Sequence, residues 1–351
     1  MTTKIDAKNA LDKIISKSRV HLYKPIQIAE ILYRIRTRGD IDALDLESYR
    51  NESKHWRDEI TIQLLGRKST SSARFQDDLF NENAIPPKIL KILSDENLKT
   101  GGAVEAYIYK KFTGKHNQLA NALSYCKNST KENFSVEKFI NSFWSEPGLK
   151  RSLDKIYEIV VYALFSALAE SLQIKIEISV DEKNFDILRE FEDFSKKVMN
   201  LNILNPVYIQ DAKIFRVGIT NAADRGIDMY ANWGAAIQIK HLSLDENLAE
   251  NIVENITSNK IIIVCKDAEQ KIILSLLTQI GWRSRIQSIV TEKNLIDWYE
   301  KALRGKFSNI IGNKLMENIC AEIAEEFPSV EDLPKILKIR HYEKISDTFW
   351  N

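Results

Sequence analysis

An α/β core flanked by a mainly helical N-terminal region and a helical C-terminal segment is the architecture the sequence predicts. Three observations carry it. Apolar residues recur at helical spacing through the first 148 residues, strand-like and helical stretches alternate from about Leu149, and the helical pattern returns after about residue 305. The expected divisions are a mainly helical region over 1–148, an α/β core over 149–304 and a helical extension over 305–351.

In the first division Ile28, Ile31, Leu32 and Ile35 follow the i, i+3, i+4, i+7 rule, with Pro25 where a first helical turn tolerates it. Polar stretches that read as loops interrupt the helices at Gly66–Asp78, which is followed by Pro86-Pro87, and at Thr113–Gln118. Leu153–Leu172 is apolar on most of its faces and is expected as a long core helix. Then come a strand over Gln173–Val180, a charged helix over Asn184–Asn200 and a strand over Ile214–Ile219. After the segment Gly226–His241 the order is helix (Glu246–Thr257), strand (Lys260–Cys265), helix (Ala268–Ile280), strand (Arg285–Val290) and a helix opened by Thr291.

Composition is that of an ordinary globular chain: 351 residues, 44% hydrophobic and 28% charged, which excludes disorder, collagen and a small stapled scaffold. Fifty Lys and Arg against 49 Asp and Glu leave a net charge of +1. That total is a sum of opposites, because residues 1–148 hold 24 basic and 19 acidic side chains while the remainder is net acidic. Cys126, Cys265 and Cys320 have no CxxC spacing and no close histidine, so reduced, buried thiols are expected and not a zinc site or disulfide framework. The longest nearly apolar run, Ile159–Ala169, is too short to span a bilayer, so a cytoplasmic location with no membrane insertion is expected.

The chemistry concentrates in Gly226–His241. Folded as a hairpin about Trp233, with Tyr230–Gly234 as the turn, it sets Asp228 opposite Gln238, and cross-strand partners stand about 5 Å apart. Period-two alternation puts Lys240 on the face of Gln238, opposite Gly226, while Ile237 and Ile239 point into the core. A carboxylate, an amide and an ammonium then converge, a grouping that suits phosphodiester hydrolysis with a divalent cation: oxygen ligands anchor the cation, and the lysine orients water or neutralises developing charge. Since Gln238 offers only a carbonyl oxygen, a further acid is wanted. Glu158, on the long helix in a polar stripe with Asp154, Lys155 and Tyr162, is the expected source.

An Asp, a short hairpin and Gln-x-Lys, preceded by a helical Glu and followed by helix and strand, resemble the PD-(D/E)XK nuclease superfamily in its Gln-x-Lys, Mrr-type variant. More narrowly, Asn221–Asp228 with Gln238–Lys240, together with Ser18–Leu32 and Thr70–Asp77, resemble type II restriction endonucleases of the HaeII kind. The resemblance implies a Mg2+-dependent homodimer that hydrolyses double-stranded DNA at a short palindrome, purine-GCGC-pyrimidine, within a restriction–modification system. It implies Asp228 and Glu158 as metal ligands and Asp228, Gln238, Lys240 and Glu158 as the catalytic set. The chain departs from the superfamily pattern in having no proline before Asp228 and in having Gln238 at the second acid position. Two other readings share the core: an Mrr-like repair or modification-dependent nuclease, and an inactive DNA-binding protein with a nuclease fold.

Each residue also has a plainer role to weigh. An amide and a lysine on a hairpin are usually solvated, Glu158 suits a wet helix face, and Arg225 could simply pair with Asp224. Arg225 and Asn221 are nevertheless placed to hold a phosphate near Asp228. Arg67, Lys68, Ser69, Ser72, Arg74 and Gln76 combine phosphate donors with types that read guanine and adenine edges. Arg34, Arg36 and Arg38 fit a helix end, and Trp282, Arg283 and Arg285 fit structural roles. Asn205-Pro-Val-Tyr208 lacks the glycine-rich loop of a methyltransferase, and Gly66–Thr70 and Thr113–Lys115 lack phosphate-loop spacing, so no nucleotide cofactor is expected.

Overall fold

The computed structural model describes residues 3–68, 78–146, 148–217, 227–245, 248, 252, 254, 256, 258, 260–268 and 285–345. By its internal contacts the chain divides into two compact units, one formed by 1–129, 134–156 and 320–351, the other by 130–133 and 157–319.

The first unit is helical. Its helices are α1 (Lys4–Lys17), α2 (Tyr23–Arg38), α3 (Glu52–Leu65), α4 (Pro87–Lys99), α5 (Ala103–Asn128) and α6 (Val136–Ser145). Thr3 opens α1 with a capping box to Asp6, and Pro86-Pro87 opens α4, so both starts are local chemistry. Ile26, Ile28, Ile31 and Leu32 are fully buried in a core shared with Leu11, Leu90, Tyr109 and Phe112. The loop expected at Thr113–Gln118 is instead the middle of α5: Phe112, His116 and Leu119 keep the buried stripe running past Gly114. Lys115 Nζ donates to the carbonyls of Ile15 (3.1 Å) and Ser18 (2.8 Å), so the polar residues there hold the end of α1. Tertiary burial has overridden a turn-like composition.

In the second unit the long helix appears as expected, α7 (Leu153–Ser171), followed by β1 (Lys175–Ser179). The expected helix over Asn184–Asn200 is broken: α8 (Phe185–Glu190) ends at Phe191, and a π turn then runs to Asn200 in the left-handed conformation. Leu188 is the one buried apolar side chain of the segment, while Ile187, Phe191, Phe194 and Val198 stay exposed, so the packed face is too narrow to hold one straight helix. A strand not anticipated, β2 (Val207–Asp211), pairs antiparallel with β1, and Asn205-Pro206 is its entry. The main sheet holds β3 (Ile214–Arg216), β4 (Met229–Ala231), β5 (Ala235–Lys240), β6 (Lys260–Cys265) and β7 (Ile286–Thr291) in that spatial order. The pairs β3–β4 and β4–β5 are antiparallel, while β5–β6 and β6–β7 are parallel. Positions 248, 252 and 254 are helical, in keeping with the expected crossover helix, whereas 269–284, with most of the expected helix over 268–280, Trp282 and Arg283, lie outside the described residues. The C-terminal helices are α9 (Glu292–Arg304), opened by a Thr291 capping box, α10 (Ser308–Glu326), and α11 (Leu333–Ile339), which belongs to the first unit, where Leu333 and Ile336 join its core. Among the described residues no helix is long and apolar enough to cross a membrane. All three cysteines are free thiols; Cys126 and Cys265 are buried and Cys320 is half-buried.

Candidate active site

The hairpin forms in the expected register. Met229 pairs with Ile237 and Tyr230 with Ala236, and continuing the ladder by one residue sets Asp228 against Gln238. Its turn is tighter than expected, since Tyr230 lies within β4 and stacks on Phe215 of β3 at 5.1 Å. Gly234, at φ +97°, reverses the chain in a conformation that side-chain-bearing residues rarely adopt. Asn232 fixes the turn from outside, donating from Nδ2 to the Asp211 carbonyl (2.9 Å) and accepting the Lys213 N–H (2.8 Å). That anchoring was not foreseen; an Asn just before Trp-Gly was its one sequence signal.

Asp228 is held by main chain on both sides. Its N–H donates to the Ile237 carbonyl (3.2 Å), and its carbonyl accepts from Val217 (2.9 Å). The carboxylate Oδ2 accepts from the Ile239 N–H and from Gln238 Nε2, each at 2.7 Å. Gln238 is 2% exposed, because β5 is a central strand covered on both faces. A solvated amide on an open hairpin face is therefore not what this residue is. With its Nε2 committed to Asp228, Gln238 Oε1 is buried without a hydrogen-bond donor among the described residues. Such an atom is costly to bury unless something electropositive meets it.

Lys240, two residues on, shares the Gln238 face by alternation and is half-buried at the end of β5. Gly226, its expected neighbour, lies outside the described residues. Glu158 is 7% exposed on α7, so it is not on a wet helix face. The ring of Tyr157, next in sequence, stands 6.4 Å from that of His241, which follows Lys240, and this brings the first half of α7 to the end of β5. Among the described residues no three or more His, Cys, Asp or Glu side chains gather as a metal cluster. The donors at the hairpin are thus one carboxylate and one amide oxygen, both hard oxygen ligands that fit Mg2+ in type.

Of the expected DNA-contacting residues, Ser69, Ser72, Arg74, Gln76, Asn221 and Arg225 lie outside the described residues. Lys68 is exposed. Arg67, just past the Gly66 cap of α3, donates to the carbonyls of Glu325 (3.1 Å) and Glu326 and to His21 Nε2 (2.9 Å). Arg36 grips the buried Glu105, and Arg34 pairs with Glu59 while lying 4.8 Å over the Trp56 ring, so both make tertiary contacts within the helical unit instead of ending a helix in solvent as their plainer reading expects. Arg285 likewise binds the carbonyls of Ser258 and Ile256.

The model of the HaeII restriction endonuclease family matches residues 7–342. The type II restriction enzyme HaeII of Haemophilus aegyptius is 58% identical over 97% of both chains. The type II restriction enzyme NgoBI of Neisseria gonorrhoeae is 56% identical over 94% of both. No solved structure matches.

Proposed function

The chain belongs to the HaeII restriction endonuclease family, and from that premise we propose that Asp228, Gln238, Lys240 and Glu158 form the centre at which it cuts DNA. The protein is a type II restriction enzyme, a site-specific deoxyribonuclease. The observation that carries the site is the buried Asp228–Gln238 pair with an amide oxygen left for a cation. The core is read as a PD-(D/E)XK sheet with Gln238 at the second acid position.

Asp228 and Gln238 Oε1, joined by Glu158 from α7, would hold Mg2+. When bound, the cation polarises the scissile phosphate and lowers the pKa of an adjacent water. The Gln238 amide fixes the Asp228 carboxylate through its donated hydrogen bond, so the ligand is pre-oriented. Lys240, at the half-buried strand end, neutralises charge developing on the phosphate and orients the attacking water. The substrate is double-stranded DNA at a short palindrome, purine-GCGC-pyrimidine by family resemblance. A palindrome offers two equivalent strands, so the working form is a homodimer, acting in the cytoplasm.

Asp228→Ala and Lys240→Ala are each expected to abolish cleavage in Mg2+ while retaining sequence-specific binding in Ca2+. Normal cutting by both variants would refute the assignment. Discrete fragments from unmethylated plasmid separate this reading from a modification-dependent nuclease, which would leave that DNA intact.

A further inference from the structure

We propose that a basic cavity in the helical unit, between the end of α1 and the start of α2, holds the phosphodiester backbone of the DNA; this rests on the restriction-enzyme reading above. The cavity has a volume of about 470 Å³ and is lined by Lys13, Lys17, Arg19 and Lys24, with Asn81 and Asn83 as neutral donors. One carboxylate, Asp78, faces these four cations. Among the described residues none of Lys13, Lys17 and Arg19 forms an ion pair, in contrast to Arg34, Arg36, Arg57 and Arg340 in the same unit.

Lys13 and Lys17 stand four apart on one face of α1, where like charges repel. The cavity also meets the first turn of α2, whose N-cap Leu22 offers no side-chain hydrogen bond and which has no acidic residue in that turn. The helix dipole favours Lys17 in the last turn of α1, but the four cations of the lining still outnumber its one carboxylate, Asp78, so the cavity keeps an excess of positive charge. Polyanion binding uses that excess, since each neutralised phosphate releases condensed counterions. Three of the four cations are lysines, point charges that grip phosphates without reading sequence, so the contact sets affinity and register while specificity is read elsewhere.

The test is the salt dependence of binding. The full-length triple variant Lys13→Ala/Lys17→Ala/Arg19→Ala and the parent are titrated without Mg2+ against two fluorescent duplexes, one with the purine-GCGC-pyrimidine site and one without. The plot of log affinity against log salt should lose a slope of about 2–3, near 0.9 for each lost phosphate contact, equally on both duplexes. The Lys13→Arg/Lys17→Arg variant should keep the parental slope. A control losing exposed charge elsewhere in the same unit, Lys88→Ala/Lys127→Ala/Lys138→Ala, should keep it too. An unchanged slope in the triple variant, a loss confined to one duplex, or an equal loss in the control overturns the proposal. If the parent itself binds neither duplex, the restriction-enzyme reading fails first, which distinguishes the two failures.

Discussion

In the helical unit the buried glutamates are closed off by several donors each, whereas at the β4–β5 hairpin a buried amide oxygen beside a carboxylate is left without a donor among the described residues. Glu105, fully buried, accepts from Arg36 Nε and Nη2 (2.9 Å each), from Asn97 Nδ2 (2.5 Å) and from the Tyr342 hydroxyl. Glu30 accepts from Arg340 (2.6 and 3.0 Å) and from the Tyr109 hydroxyl (2.6 Å), and the Arg340 guanidinium lies 4.0 Å over the Tyr33 ring. Burial, then the neighbouring glutamates, push the Tyr342 and Tyr109 hydroxyls well above their ordinary pKa, so both remain donors. Gln238 by contrast keeps an unmet oxygen while its amide nitrogen is bonded to Asp228. Saturated networks specify a fold; the open Gln238 oxygen differs from the unpartnered ring nitrogens of His21 and His116 in standing beside the Asp228 carboxylate, where a cation would meet two oxygen ligands.

The largest test of that contrast is Glu105→Ala, which strands Arg36, Asn97 and Tyr342 together. A loss of about 3–5 kcal/mol is expected in urea unfolding, on the scale of a broken buried ion pair. An effect below 1 kcal/mol would show that the network is not closed as described.

Next in size is pH. Burial, then the nearby Arg67, lowers the pKa of His21 to about 3, and burial lowers that of His116 to about 4, against an ordinary 6.5. Arg67 donates to His21 Nε2, which therefore must be unprotonated. Below pH 6.5 the unfolded chain takes up protons that these folded rings refuse, so stability falls as pH drops from 6.5 towards 4. Each histidine contributes up to about 1.4 kcal/mol per pH unit. Melting of parent and His21→Gln/His116→Gln proteins between pH 7 and pH 5 should show a flatter fall in the variant; parallel curves would reject it.

Gly234→Ala should cost about 1 kcal/mol through the positive φ alone, since a Cβ there meets open space. It should lower cleavage more than its melting shift explains, because the hairpin register sets the Asp228–Gln238 pair. Proportionate losses would place the turn outside catalysis. The smallest expected effect on stability is that of Gln238→Leu. Removing an acceptor that has no donor offsets the lost bond to Asp228, so the change should stay within about 1 kcal/mol while cleavage disappears. A loss as large as that of Glu105→Ala would show that Gln238 is purely structural.

How much of this was legible differs between the two regions. The hairpin register, and with it the Asp228–Gln238 pair, follows from counting residues about Trp233, because pairing across a tight turn is local. The extents of α7 and β6, and the start of α9, follow from periodicity and a capping threonine for the same reason. The reading of Thr113–Gln118 as a loop failed because Gly and polar residues on one face of α5 do not reveal the buried Tyr109, Phe112 and His116 on the other. The continuous helix over Asn184–Asn200 failed in reverse, since its packed face is too narrow to support it.

By itself the sequence determined which residues could do the chemistry and their order along a hairpin, since these depend on residue type and on period-two geometry. The tertiary structure alone decided that Gln238 is buried with an open oxygen, that Arg36 and Arg67 bind the protein's own acceptors, and that Lys13, Lys17, Arg19 and Lys24 line one cavity. Burial, and pairing between residues tens to hundreds of positions apart, are properties of packing, and local pattern cannot contain them.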